Sequence, residues 1–160
     1  MMTINIVAVG KIKENYIIKG ISEYTKRLTN YCKINIKEVK QENIPGNPSQ
    51  SSIEKIKDKE GERVIAQIPA NSYAIALDVK GKPMTSEGLA QSLQNLQVKG
   101  VSEVTFIIGG TLGLSEQVLD EVDYSLSLSH MTFTHQMIRL ILLEQIYRAF
   151  KIISNEPYHR

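Results

Sequence analysis

Residues 103–113 read EVTFIIGGTLG. The five residues after Glu103 are all β-branched or aromatic, which predicts a buried strand over 103–108. The strand runs straight into Gly109 and Gly110, where the backbone is free to approach a ligand or adopt positive φ. In an open α/β sheet, ligands sit beyond the carboxyl ends of the strands. The stretch therefore predicts a sheet type and a site at once. Its spacing is neither the G-x-G-x-x-G dinucleotide fingerprint nor the G-x-x-x-x-G-K-[ST] phosphate loop, and no Lys follows. Kinase, NTPase and ordinary NAD-enzyme readings are disfavoured.

The flanks extend the pattern in both directions. Upstream, 72–79 (SYAIALDV) predicts a strand, Gly81 and Pro83 a turn, and Thr85 or Ser86 the cap of a helix with Leu89, Leu93 and Leu96 on one face and Gly100 as its stop. Downstream come a short helix at 115–120, a short strand at 124–128 and a long helix at about 134–153. At the start, 3–9 (TINIVAV) predicts a buried strand, 14–29 an amphipathic helix and 33–39 (KINIKEV) a strand with one wet face. Residues 40–50 carry two Pro and a Gly and predict a loop. Ser51 and Glu54 stand at capping-box spacing before a charged helix ending near Gln67. Strands alternating with helices predict an α/β fold, a mostly parallel sheet covered on both faces, in a single domain over 1–160.

Composition excludes much else. The chain has 160 residues, 42% hydrophobic and 22% charged, with a formal net charge of +2. Surface scaling allows about two-thirds of the unfolded surface to be buried, enough for a core without staples. A strongly basic nucleic-acid coat is absent, though Lys11, Lys13, Lys19, Lys26 and Arg27 form a candidate local patch. One cysteine, Cys32, builds neither a disulfide within the chain nor a thiolate metal site. No basic leader precedes the first apolar run and no run reaches 18 apolar residues, so a cytoplasmic protein without a membrane span is expected.

Three further segments carry candidate chemistry. Leu126 to His135 (LSLSHMTFTH) takes a strand through a polar-apolar turn into a helix, with Thr134 a candidate N-cap. His130 and His135 lie five apart, the wrong spacing for a helical metal pair, and no G-x-S-x-G elbow is present, so no metal is expected. The last helix is apolar nearly all round, from Met137 to Ile153. A helix of that kind is buried on several sides, more than its own chain is expected to supply, which predicts a homodimer. Its polar members include Glu144 and Arg148, an i, i+4 pair. The chain ends Tyr158-His159-Arg160, an aromatic for stacking, an imidazole that titrates near neutrality and a guanidinium for phosphate.

The segments INIVAVGKIKENY, FIIGGTLGL, LSLSHMTFTHQMIRLILLEQIYRAFKI and NEPYHR together resemble the ribosomal RNA large subunit methyltransferase H family, a small branch of the SPOUT (α/β-knot) methyltransferases. The resemblance runs from end to end. It implies a C-terminal trefoil knot, against the general rule that chains are unknotted. It also implies a homodimer, S-adenosyl-L-methionine as cofactor, and methylation of N3 of pseudouridine 1915 in 23S rRNA within the ribosome. Carried over, the cofactor contacts fall on Leu77, on Gly109, and on Leu128, Ser129, His130, Met131, Thr132 and Phe133. His130 and Thr134 stand where other members carry different residues, so backbone contact is expected at His130. His159 is the candidate for handling the N3 proton, with solvent as the alternative base, and Tyr158, Arg160 and Arg148 are candidates for holding substrate. The tail of one subunit is expected to reach the cofactor pocket of the other. Two alternatives remain: a SPOUT enzyme acting on another rRNA or tRNA site, and a non-enzymatic ribosome-binding module.

Overall fold

The strand β1 (Met2–Val9) shows why the sheet is covered twice. Ile4, Ile6 and Ala8 point to one face and Val7 and Val9 to the other, and all five are buried. In the computed structural model, which describes residues 1–159, the order continues with α1 (Asn15–Leu28), β2 (Cys32–Val39), α2 (Gln50–Ile65), β3 (Tyr73–Pro83) and α3 (Ser86–Val98). Then come β4 (Glu103–Ile108), α4 (Glu116–Glu121), β5 (Tyr124–Ser127) and α5 (Met137–Ile153). The sheet order is β2-β1-β4-β3-β5, and every pair is parallel. Parallel pairing puts all carboxyl ends on one side. The sheet order and the return of α5 beneath α1 and α3 are compatible with the expected knotted C-terminal segment.

Each face has its own core. Ile4, Ile6, Phe106 and Leu126 meet Leu28 of α1, Leu93 of α3 and Leu142 and Ile146 of α5. On the other face Val7, Val9 and Ile107 meet Val64 of α2 and Val118 of α4. One polar line interrupts that second core. Asn5 Nδ2 donates to Glu103 at 2.8 Å and to Thr105 at 3.3 Å, and Asn35 donates to Asn5 at 3.0 Å. Together they tie β1, β2 and β4 in register.

The structure departs from the expected elements in two places. Ser49 caps α2, accepting from the Ser52 amide at 3.1 Å, so Ser51 lies inside the helix and forms no capping box with Glu54. The Pro48–Ser49 step starts the helix two residues before the spacing rule places it. Gly81 and Pro83 do not turn the chain. β3 runs through them, with residues 78–81 looped out between its two pairings with Leu126. At Gly81 a Cβ would stand 2.6 Å from the Ser125 carbonyl oxygen, so only glycine allows β3 and β5 so close. The helix α5 is only partly enclosed, as its sequence leads one to expect. Its own chain buries one side (Arg139, Leu142, Leu143, Ile146, Ala149 and Phe150) and leaves Met137, Ile138, Ile141 and Ile152 half-covered. The chain thus encloses this helix over only about half its circumference.

Candidate functional site

The end of β4 turns back on itself. Gly113, at φ +89°, donates its amide to the Gly110 carbonyl at 3.1 Å. A Cβ on Gly109 would stand 2.8 Å from the carbonyl carbon of Gly113, so this loop closes only over a bare backbone. The looped-out residues of β3 bring Asp78 and Val79 alongside it. The turn after β5 completes the ring. There Ser127 Oγ donates to the Ser129 carbonyl at 3.0 Å, and Ser129 Oγ accepts from the Met131 amide at 2.9 Å. Thr134 then caps the approach to α5, accepting from the Met137 amide at 3.2 Å, as its residue type predicts.

These loops enclose a cavity of about 850 Å³ at the carboxyl ends of the strands. That is within the size range of small-molecule sites. Leu77, Gly109, Leu128, Ser129, Met131, Thr132 and Phe133 all line it. His130 alone of the expected turn does not, and its side chain points to solvent. Ile108, Leu126 and Ile138 supply apolar wall. Among the described residues the acids lining the cavity are Glu14 and Asp78, and no Lys or Arg lines it. His135 also lines it, and burial beside Arg139 pushes its imidazole down, toward the neutral form.

Sequence reasoning missed one wall. Glu14, Tyr16 and Ile17, from the start of α1, close the cavity on the β1 side. The available signal was Gly10 at the carboxyl end of a parallel strand, subject to the same rule that pointed to Gly109. Gly10 has φ +89° and turns the chain over. This wall is held from below. Arg139 in α5 is 2% exposed and donates to the carbonyls of Gly10 at 2.6 Å and Val9 at 3.2 Å, and to Glu38 at 2.5 Å. Gln136 accepts from the Lys13 amide at 3.1 Å.

The tail lies elsewhere on its own chain. Tyr158 packs edge-on to Tyr147 at 4.9 Å between ring centroids, and the Arg148 guanidinium sits 4.8 Å from the Tyr158 ring centroid. Arg148 also holds Glu144 through two nitrogens, at 2.6 and 3.0 Å. His159 stands between Arg148 at Nδ1, 3.2 Å, and Glu87 at Nε2, 2.7 Å. None of Arg148, Tyr158 and His159 lines the cavity of this chain. Arg160 lies outside the described residues.

The sequence matches the family described as predicted SPOUT methyltransferase over residues 2–159. The chain belongs to the SPOUT methyltransferase family. It is 68% identical over 159 residues to a protein of Halothermothrix orenii named ribosomal RNA large subunit methyltransferase H, covering 99% of this chain and 100% of that one. A protein of the same name from Clostridioides difficile is 55% identical over the same coverage. Two solved structures share the fold. One is a probable methyltransferase from Bordetella pertussis Tohama I, with TM-score 0.55 and 10% identity, covering 92% of this chain and 95% of that one. The other is a probable methylase family protein from Haemophilus influenzae Rd KW20, with TM-score 0.53 and 12% identity, covering 98% and 70%.

A SPOUT enzyme needs a methyl donor, and the cavity's chemistry can be set against S-adenosylmethionine. That molecule carries a sulfonium and an ammonium against a single carboxylate, so it is a net cation. A cavity with acids at Glu14 and Asp78, apolar walls for a purine and exposed backbone along 109–113 and 128–133 fits such a ligand. A phosphate-bearing cofactor would find no Lys or Arg there among the described residues.

Proposed function

We propose that this methyltransferase transfers a methyl group from S-adenosyl-L-methionine to N3 of pseudouridine 1915 in 23S rRNA. The observation that carries the reading is the cavity: acidic, part apolar and built on glycine backbone, in a chain similar from end to end to proteins named for the large-subunit rRNA. The bound sulfonium supplies an already activated methyl group. The chain's own task is then to hold the cofactor along Leu77, Gly109 and Leu128 to Phe133, to bring N3 in line, and to take its proton.

The reading includes a homodimer. The half-covered side of α5 is continuous with the cavity rim, where Tyr16, Val79, Met131 and Phe133 are exposed. The chain exposes 9095 Å², about 1,000 Å² more than the roughly 8,000 Å² expected of a compact monomer of its mass. A standard interface covers about 800 Å² per partner. In this dimer the tail of one copy meets the cavity of the other, with Tyr158, Arg160 and Arg148 holding the nucleotide. His159 accepts the N3 proton once it leaves Glu87 and Arg148, because both ring nitrogens are engaged while it remains between them. A positioned base of this kind contributes about 10²–10⁴-fold.

The decisive experiment assays methyl transfer on naked rRNA, 50S subunits and 70S ribosomes and maps the product nucleotide. Mixing His159→Ala subunits with Gly109→Asp subunits tests the shared site, because one intact cavity and one intact tail then meet in a single dimer. Activity regained in the mixture is the expected result. A mixture as inactive as its parts removes the tail from the neighbouring site.

A further inference from the structure

The net charge of +2 conceals a separation. Residues 1–40 carry eight Lys or Arg against three acids, whereas residues 101–131 carry five acids and no Lys or Arg. Topology turns this into geometry. The cations of the first group lie on α1, β2 and the adjoining loops at one edge of the sheet, and four of the five acids lie on α4 and just before β5 at the other, where Lys82 of β3 sits over Tyr124. Four inter-strand spacings separate the edges, about 19 Å at ~4.8 Å each. Screening lengths in physiological salt are about 8 Å. The two edges therefore present separate fields and do not cancel.

Ion pairing sharpens the positive edge. Of its three acids, Glu23 holds Arg27 and Glu38 holds Arg139 of α5. Lys11, Lys13, Lys19, Lys26, Lys33 and Lys37 are exposed, and none pairs with an acid among the described residues. Lysines on an edge strand discourage pairing with another sheet. That reason covers Lys33 and Lys37 of β2 but not the cations along α1. The strip also has a direction. It begins beside Glu14 and Tyr16 at the cavity and runs the length of α1, about 20 Å at 1.5 Å per residue. At its far end Arg27 lies 5.2 Å from the Tyr24 ring centroid, a cation already on an aromatic face.

We propose that the α1–β2 edge grips the RNA backbone from both of its faces, with Lys19 and Lys26 of α1 on one face and Lys33 and Lys37 of β2 on the other contacting phosphates, and the α4–β5 edge turned away from the RNA. The proposal rests on the rRNA reading above and adds which face meets the substrate. Contacts of this type position a nucleic acid without reading its sequence and are lost in salt.

The test compares three proteins on 70S ribosomes over a range of KCl. They are the wild type, a variant with Lys19, Lys26, Lys33 and Lys37 each changed to Gln, and a control with Lys99→Gln, an exposed cation just past the end of α3. The expected result is a raised KM with kcat kept in the four-site variant. Its log–log salt slope should be shallower by about 1 for each contacting cation removed, with S-adenosylmethionine affinity by calorimetry unchanged and the control close to wild type. A four-site variant whose KM and slope match the control overturns the proposal. So does unchanged ribosome binding accompanied by lost binding to anionic lipid vesicles, which would assign the edge to a membrane surface. If the wild type itself transfers no methyl to ribosomes, the substrate reading fails instead.

Discussion

Arg139 donates to the carbonyl of Gly10 at 2.6 Å, across 129 residues of sequence. The bond joins the first turn of α5 to the residue that follows β1. Gly10 aims the chain toward Glu14 and Tyr16, so one buried guanidinium sets the position of a whole cavity wall. Burial pushes the Arg139 pKa down, and Glu38 acts in the opposite direction.

Arg139→Met should therefore damage both stability and cofactor binding. It leaves the Val9 and Gly10 carbonyls without their donor, at a cost of about 2–4 kcal/mol. Urea unfolding reads that loss, and calorimetry should show weaker S-adenosylmethionine binding. Arg139→Lys should recover only part of either, because one ammonium does not span two carbonyls and Glu38 as a planar fork does.

Gly109→Ala should separate binding from folding. Its Cβ meets Gly113 backbone, so the loop must open. Overpacking of this kind costs about 1–3 kcal/mol, and cofactor affinity should fall by at least tenfold. Gly100→Ala is the matched control. Gly100 has φ +84° with open space around a Cβ, so it should lose about 1–2 kcal/mol of stability and no affinity.

Glu60 gives a prediction with pH. Its side chain, nearly buried beneath Gly110, accepts from the Glu42 amide at 2.9 Å. Burial pushes its carboxyl up, the Glu42 amide and Arg63 oppose this, and the Glu42 carboxylate adds to it. A raised carboxyl favours the folded state most below the ordinary carboxylate range, and that contribution is lost as pH rises through the folded value. Glu60→Gln keeps an acceptor and carries no charge. Its melting temperature should exceed that of wild type at pH 8, and the gain should vanish at pH 4.

Cys32 should be silent in the native protein. It is 2% exposed, and burial pushes its thiol up to about 12. Iodoacetamide at pH 8 should leave it unmodified and should label it fully in guanidinium, which makes alkylation a reporter of unfolding.

For His159 the geometry predicts a tautomer. Arg148 donates to Nδ1, so the ring proton sits on Nε2 and faces Glu87. Nitrogen-15 shifts of the labelled imidazole should show Nε2–H in the free wild-type protein and a mixed population in Glu87→Ala. A dominant Nδ1–H form in wild type would contradict this arrangement.

Much of the fold could be read in advance because short β-branched runs alternated with helical spacing at regular intervals. Ile4 to Val9 and Val104 to Ile108 have no polar face to offer solvent, which requires helices on both sides. Thr85 and Thr134 were legible as caps because a hydroxyl before a helix has a local partner. The errors were equally physical. Pro83 suggested a turn, but an edge pairing with β5 tolerates it and Gly81 removes the clash. Glu14 and Tyr16 went unnoticed because nothing in an amphipathic helix says which cavity its first turn faces.

The sequence by itself determined the layers, the glycine-backed turn and, through end-to-end likeness, the family, because these depend on residue type and local spacing. Tertiary structure decided what distance in the chain conceals: that Arg139 braces Gly10, that Asp78 loops out over the cavity, that His159 rests between Glu87 and Arg148, and that the cations of α1 and β2 lie at the opposite edge of the sheet from the acids of α4. A parallel sheet joins residues a hundred positions apart, and no local pattern encodes which of them will meet.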